Sequence, residues 1–291
     1  MSSPLGILII VYKLTLLFVV LGFAFPCYGQ QDSSWTLGVQ GTTSFSQVGF
    51  WRWYEGGISS LSLGVGISAQ ALKKSGANQQ DHAIRLAFGV VRQDGIGVRK
   101  SDDLIHLRNA LDFSGISIFG ALNPAIVFDF RTQFADGYQY DEKDPTQDGV
   151  RISGFLSPAI WTQTVGLHYH LNTWLDFGLG IAAKETIVTV RNLRPRYKVD
   201  PDQILRWQVG SSGYIHFDRM IFTNVHLKST LTLFLAFNQQ SPDSIWETFL
   251  TMKVNSWLQV NAEYTALYDR DLSMYVQRKQ SMAIGFLFNF L

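Results

Sequence analysis

The feature that most restricts what this chain can fold into is a period of two that runs to its last residues. From Leu258, the side chains of Leu258, Val260, Ala262, Tyr264 and Ala266 fall on one face of an extended segment, and Gln259, Asn261, Glu263 and Thr265 on the other. After a polar loop, Met282, Ile284, Phe286, Phe288 and Phe290 alternate with Ser281, Ala283, Gly285 and Asn289. Successive strand residues point to opposite faces, so each segment has an apolar and a polar side. A soluble β-sandwich alternates too. The long aliphatic and aromatic groups of these faces favour a sheet whose apolar side meets lipid.

The same pattern recurs along the chain. Leu61, Leu63, Val65 and Ile67 stand against Ser60, Ser62, Gly64, Gly66 and Ser68, and Ile84, Leu86, Phe88 and Val90 against Arg85, Ala87 and Gly89. Reading it throughout gives about twelve strands, near residues 35–45, 58–70, 82–92, 104–114, 125–134, 152–170, 174–190, 205–217, 221–237, 245–255, 257–268 and 277–290. Charged residues are 16% of the chain, below the roughly 25% of a soluble domain. No apolar run after residue 29 approaches the roughly twenty residues of a membrane helix. Together these predict an all-β fold, a closed antiparallel transmembrane β-barrel, because closure pairs every backbone group within the bilayer.

Connection lengths predict an orientation. Short links at 171–173, 218–220 and 255–257 alternate with long ones at 135–151 and 191–204. Periplasmic turns of such barrels are short and outer loops long, so both mature termini are expected in the periplasm. Links at 71–81 and 115–124 are longer than that rule prefers. Trp35, Trp51, Trp53, Trp161, Trp174, Trp207, Trp246 and Trp257 lie near segment ends, where interfacial girdles form.

Residues 1–29 carry one charge, Lys13, between apolar runs at 5–12 and 14–25. The second run has the length of a signal-peptide core, and Cys27 and Gly29 offer small residues at −3 and −1 of a cleavage site. The expected division is a removed leader at 1–29 and a barrel at 30–291. An uncleaved anchor would bury Lys13 mid-helix at about 3 kcal/mol, and acylation of Cys27 meets bulky Phe25 and Pro26 where small residues are needed. The remainder has no cysteine, which excludes disulfides, thiolate metal sites and cysteine nucleophiles. Losing Lys13 balances its charge, which argues against nucleic acid as a partner.

Six phrases, in order along the chain, resemble a known family: WYEGG at 53–57, KSDD at 100–103, TQFADGYQY at 132–140, ISGFLSP at 152–158, YDRD at 268–271 and the ending at 280–290. The family is the uncharacterised outer-membrane-type barrel family catalogued as domain of unknown function 3078. One departure is Ala182-Ala183, where the family pattern suggests Ser-Pro. The resemblance implies a bacterial outer-membrane protein with no assigned activity, and supplies no catalytic residues. Gly285, Phe288 and Phe290 also resemble the C-terminal signal read by the barrel assembly machinery, with Leu291 following where the aromatic is usually last. Expected partners are therefore that machinery, outer-membrane lipid and lipopolysaccharide.

If the apolar face meets lipid, the other lines the lumen. Arg85, Arg108, Asp129, Arg131, His168, His170, Asp176 and Lys228 are the leading lumen candidates, joined by His106, Asp112, Gln133, Lys184, Arg206, His226, Glu247, Lys253 and Glu263. These groups either pair and close the barrel or line a narrow pore whose basic excess favours anions. Arg131, flanked by Asp129 and Gln133, is the foremost pore candidate. The acidic loop with Asp136, Asp141, Glu142, Asp144 and Asp148 lacks the spacing of a calcium loop and reads as a solvated loop, with a cation bridge to lipopolysaccharide as the alternative. His168 and His170, two apart on one face, could bind a metal or act as a base with Asp176 in an enzyme, and His82, Asn109 and Ser229 on the outer face could form a lipase-like set. No Gly-x-Ser-x-Gly or His-Glu-x-x-His pattern supports either. The leading reading is a narrow channel or transport protein for small polar solutes. A lipid-acting enzyme and a closed structural or surface-binding barrel are the alternatives, and no cofactor or metal is assigned. Phe290→Ala is expected to lower the heat-modifiable, folded fraction in isolated membranes, and unchanged assembly would remove the C-terminal signal.

Overall fold

The computed structural model describes residues 35–49, 58–76, 78–116, 118, 121–141, 144 and 146–289. The leader at 1–29, Trp51, Trp53, the phrase at 53–57 and Phe290 lie outside them. The strands are β1 (Trp35–Val48), β2 (Ser60–Ser75), β3 (Asn78–Gln93), β4 (Gly97–Asp112), β5 (Leu122–Thr132), β6 (Gly137–Gln139), β7 (Val150–Ser153), β8 (Ala159–Asn172), β9 (Leu175–Ile187), β10 (Leu205–Phe222), β11 (Val225–Ala236), β12 (Asp243–Lys253), β13 (Leu258–Tyr268) and β14 (Gln277–Asn289). A 3-10 helix spans Arg191–Tyr197.

Twelve of these strands close into one antiparallel barrel in the order β1-β14-β13-β12-β11-β10-β9-β8-β5-β4-β3-β2. The seam is the pairing of β1 with β14, from Gln40 opposite Asn289 to Phe45 opposite Ile284. Strands β6 and β7 pair only with each other, as a hairpin in the loop between β5 and β8. The fold is that of a closed transmembrane β-barrel. Its two ends differ: most links at one end are short turns, while the other carries the longer loops with the hairpin and the 3-10 helix.

The structure corrects several boundaries. The segment read as one strand at 152–170 is broken, since β8 begins only at Ala159. Gly154 and Ser157 exchange backbone hydrogen bonds of 2.8 and 2.9 Å in a tight turn, and Pro158 has no N–H to give a ladder. The link read as long at 71–81 is in fact two residues: β2 runs to Ser75, β3 starts at Asn78, and Gly76 takes a φ of 52°. Polar Lys73, Lys74 and Ser75 ended the apparent strand early although their backbone stays paired to β3. Similarly, β10 continues past 218–220 to Phe222. The link after β4 is long in the structure too, at 113–121.

The barrel is apolar outside. Val165 is 65% exposed, Leu179 69% and Met282 76%, which water would not tolerate across a whole surface but a bilayer requires. Trp161, Trp207 and Trp246 share the outward face near the loop end, while Trp35, Trp174 and Trp257 sit near the turn end. On β8 the eight steps from Trp161 to Tyr169 span about 27 Å of strand, or about 20 Å along an axis tilted by roughly 40°, close to the apolar band of such barrels. The described apolar side chains that are buried cluster largely at the loop end, where Val188, Leu193, Tyr197 and Val199 pack with Val190 and Leu272. Ile67→Arg, outward and midway along β2, is expected to destabilise the refolded barrel by about 2–4 kcal/mol. Inward Ser62→Arg is expected to cost far less, and equal costs in lipid-vesicle unfolding would count against a bilayer around this strand.

Candidate functional site

The lumen is built by alternation: most of the charged strand residues point inward, and among the described residues the buried apolar clusters are small. Charges therefore have to find one another across the barrel. Arg85 on β3 reaches Glu263 on β13 at 3.1 Å and lies over the Phe249 ring of β12, 4.0 Å from its centroid. Arg131 on β5 pairs with Glu247 on β12, and Lys279 on β14 with Asp102 on β4. Lys184 on β9 bonds Asp243 at 2.7 Å and stands 3.6 Å from Asp269. These pairs join strands three to five positions apart in the barrel order, so they brace the wall from within.

Between the braces lies a cavity of about 330 Å³, reaching from the loop end down to Arg108, His168 and Tyr214. Its walls mix the braced charges with Leu104, Val127, Ile160, Phe234, Ile245 and Leu267. Tyr214 forms much of the floor. It crosses β9 above Gly178, where any Cβ would collide with its ring, and meets His168 on β8 edge-on at 5.2 Å between centroids. Arg108 from β4 stands 5.0 Å from the same ring, a cation–π contact across the lumen.

The mouth is narrowed by the loops. The Tyr197 hydroxyl donates to the carbonyl of Ile152 at 2.8 Å, and burial raises its pKa above the ordinary phenol value. Leu272 belongs to the same apolar cluster and also lines the cavity. Lys100 holds Asp103 at 2.8 Å and the Ala135 carbonyl at 2.8 Å, fixing the start of the loop after β5. In that loop Asp136 pairs with Arg151 at 2.5 Å. Asp144 accepts from Thr146 and Gln147, bonds that hold its carboxyl below the usual range. Glu142 lies outside the described residues.

The structure places the sequence candidates as follows. Arg85, Arg108, Asp129, Arg131 and His168 line the cavity. Asp129 accepts from His106 at 2.8 Å rather than pairing with its neighbour Arg131. His170 and Asp176 meet at 3.0 Å near the turn end, whereas His168 contacts Asp112. Lys228 stands 3.8 Å from Asp218, which also takes His226 at 2.5 Å. Gly285 faces the lumen, and Phe288 points outward. Tyr214, Phe249 and the Asp102–Lys279 brace were not singled out from sequence. The signal for Tyr214 was an inward aromatic facing glycine across the register, since Tyr214 pairs with Gly178.

The outer-face lipase-like set is not assembled. His82 bonds Asn109 at 2.8 Å on β3 and β4, while Ser229 on β11 is taken by Thr248 and Trp246, each at 2.9 Å. Five strand positions separate β4 from β11, so the barrel order puts these groups on opposite walls.

The family model described as "Protein of unknown function (DUF3078)" matches residues 45–138, from the end of β1 into β6. It is the family the sequence phrases resemble, and the phrases beyond Tyr138 lie outside the matched span. No curated protein matches the chain. Among solved structures, similarity extends to the translocator domain of autotransporter NalP from Neisseria meningitidis, at 8% identity and a TM-score of 0.37, covering 96% of each chain. An outer membrane channel from Pseudomonas putida F1 matches at 11% identity and a TM-score of 0.39, over 90% of this chain and 98% of its own. The Pseudomonas putida toluene transporter TodX matches at 9% identity and a TM-score of 0.31, over 88% and 80%.

If Arg131 and Glu247 form a true brace, their replacements are coupled. A double-mutant cycle of Arg131→Ala and Glu247→Ala in denaturant unfolding is expected to give about 1–2 kcal/mol of interaction energy. Additive single effects would show that the pair holds nothing.

Proposed function

We propose that the protein is an integral outer-membrane barrel that passes small polar solutes through a narrow lumen held by cross-wall ion pairs. The observation that carries this reading is the cavity running from the loop end to Tyr214 between walls of both charge signs. Such a lining replaces part of a solute's hydration shell, and its local charge balance sets which ions enter. Braces of opposite charge keep the path narrow while leaving it polar. In this reading the leader is removed before Gln30, the short turns and mature termini face the periplasm, and the longer loops meet lipopolysaccharide.

Arg131 is the residue on which selectivity turns. Its removal leaves Glu247 as a fixed negative charge beside the cavity, so anion preference falls and cation preference rises. Single-channel recording of the refolded chain in a planar bilayer is expected to show a small steady conductance. Arg131→Ala is expected to shift the reversal potential toward cation selectivity under a salt gradient. The double replacement Arg131→Ala with Glu247→Ala, which removes one brace, is expected to conduct more than the unaltered chain. Silence from a demonstrably folded barrel, in the double variant as well, would instead support a closed structural barrel built on the same pairs.

A further inference from the structure

We propose that Asp112, His168 and His170 form a binding site for a divalent transition-metal ion on the lumen wall, with Asp176 positioning His170. The site stands on the geometry of the wall and holds whether or not the lumen conducts.

Alternation and small neighbours bring the three groups together. His168 and His170 lie two apart on β8 and both point inward. Asp112 ends β4, two strands away across β5. The intervening position is Ala125, which pairs with Asp112 on one side and Gly166 on the other. Its single methyl leaves room for the carboxylate to reach β8. One donor atom from each of the three residues lies within 4.8 Å of the others. Ligands about 2.1 Å from zinc sit about 3.4 Å apart, so the 4.0 Å between His170 Nε2 and Asp112 Oδ2 closes by small side-chain rotations.

Two observations point to a cation rather than to a simple ion pair. Asp112 is 5% exposed and His168 4%, and their Oδ1 and Nδ1 atoms touch without hydrogen-bond geometry, leaving both without a hydrogen-bond partner. A buried polar atom in that state is costly, and an ion ligated by both, once they part to ligand spacing, would satisfy both. Second, Asp176 orients His170. Its Nδ1 donates to Asp176 at 3.0 Å, which turns Nε2 toward Asp112, 4.0 Å from Oδ2. A carboxylate behind a ligating imidazole is the usual support of such a ligand.

Two imidazoles and one carboxylate select zinc, nickel, copper or iron over magnesium and calcium, which prefer oxygen alone. Three protein ligands leave a coordination position open. His168 lines the cavity beside Tyr214 and Arg108, while Asp112 and His170 lie outside its lining, toward the turn end.

The test is competition for Zn²⁺ between a chromophoric chelator and the full chain refolded in detergent at neutral pH. One equivalent is expected to bind, with affinity at least tenfold weaker in His170→Gln and about ten- to hundredfold weaker in Asp176→Asn. Millimolar Mg²⁺ should not displace it, and Co²⁺ should give d–d bands of low-symmetry nitrogen and oxygen coordination. Folding is checked by heat-modifiable migration. His170 and Asp176 are only partly buried, so replacing either leaves the barrel intact. His226→Gln, in the separate cluster around Asp218, serves as the control and should bind normally. Zinc binding by the unaltered chain no tighter than about 1 mM, equal binding by His170→Gln, or loss in His226→Gln alone would overturn the assignment. Conductance plays no part in the readout, so failure here and failure of the channel reading are separable.

Discussion

The structure depends on one constraint: within a bilayer every backbone N–H and C=O has to be paired inside the protein. A sheet meets it only by closing, which makes the seam between β1 and β14 the contact on which the rest hangs. Among the described residues six pairs join β1 to β14, and β1 and β2 pair continuously from Trp35 with Lys73 to Val48 with Ser60. Once closed, the sheet has no free edge, and outward side chains are chosen by the membrane alone. The apolar exterior and the two tryptophan levels follow from closure without any packed interior to favour them.

The same closure dictates the inside. A soluble barrel of this kind would fill its centre with aliphatic side chains. Here the outward positions consume the large apolar residues, so alternation delivers charges to the lumen in both signs. Isolated, each would be costly; paired across the wall, each becomes a strut. Arg85 illustrates this by satisfying a carboxylate and an aromatic face on two different strands at once. Where apolar residues do point inward, at Leu104, Ile160, Phe234 and Ile245, they lie in the loop-end half and give the cavity its mixed lining.

What could be read from the sequence follows from which interactions are local. Alternation is local, so the strand number, the lipid face and the inward direction of Arg131 or His168 were legible from residues two apart. Strand ends were less so, because hydropathy fades at the rims while backbone pairing continues: Lys73 to Ser75 look like loop and are strand. The break at 154–158 was hidden because an apolar loop resembles a strand. Partners were not legible at all. Asp129 stands two residues from Arg131 on the same face, yet it takes His106 from the adjacent strand while Arg131 crosses to Glu247. Register and closure decide such choices, and neither is written in a single segment.

The two ends of the lumen are different chemical environments for the same reason. Near the loop end the long side chains of Arg and Lys span the gap to carboxylates on distant strands, and the cluster around Tyr197 and Leu272 settles above them. Toward the turn end the bridging groups shorten to histidine and aspartate, which cannot cross the barrel and so pair along the wall: His170 with Asp176, His168 with Asp112, His226 with Asp218. Long cations paired across a gap brace it, while short imidazoles and carboxylates crowded on one wall concentrate donor atoms. Tyr214 divides these regimes. It can do so because Gly178 beneath it has no side chain, so one glycine in the register sets where the lumen changes from charges braced across it to histidines and aspartates gathered along one wall.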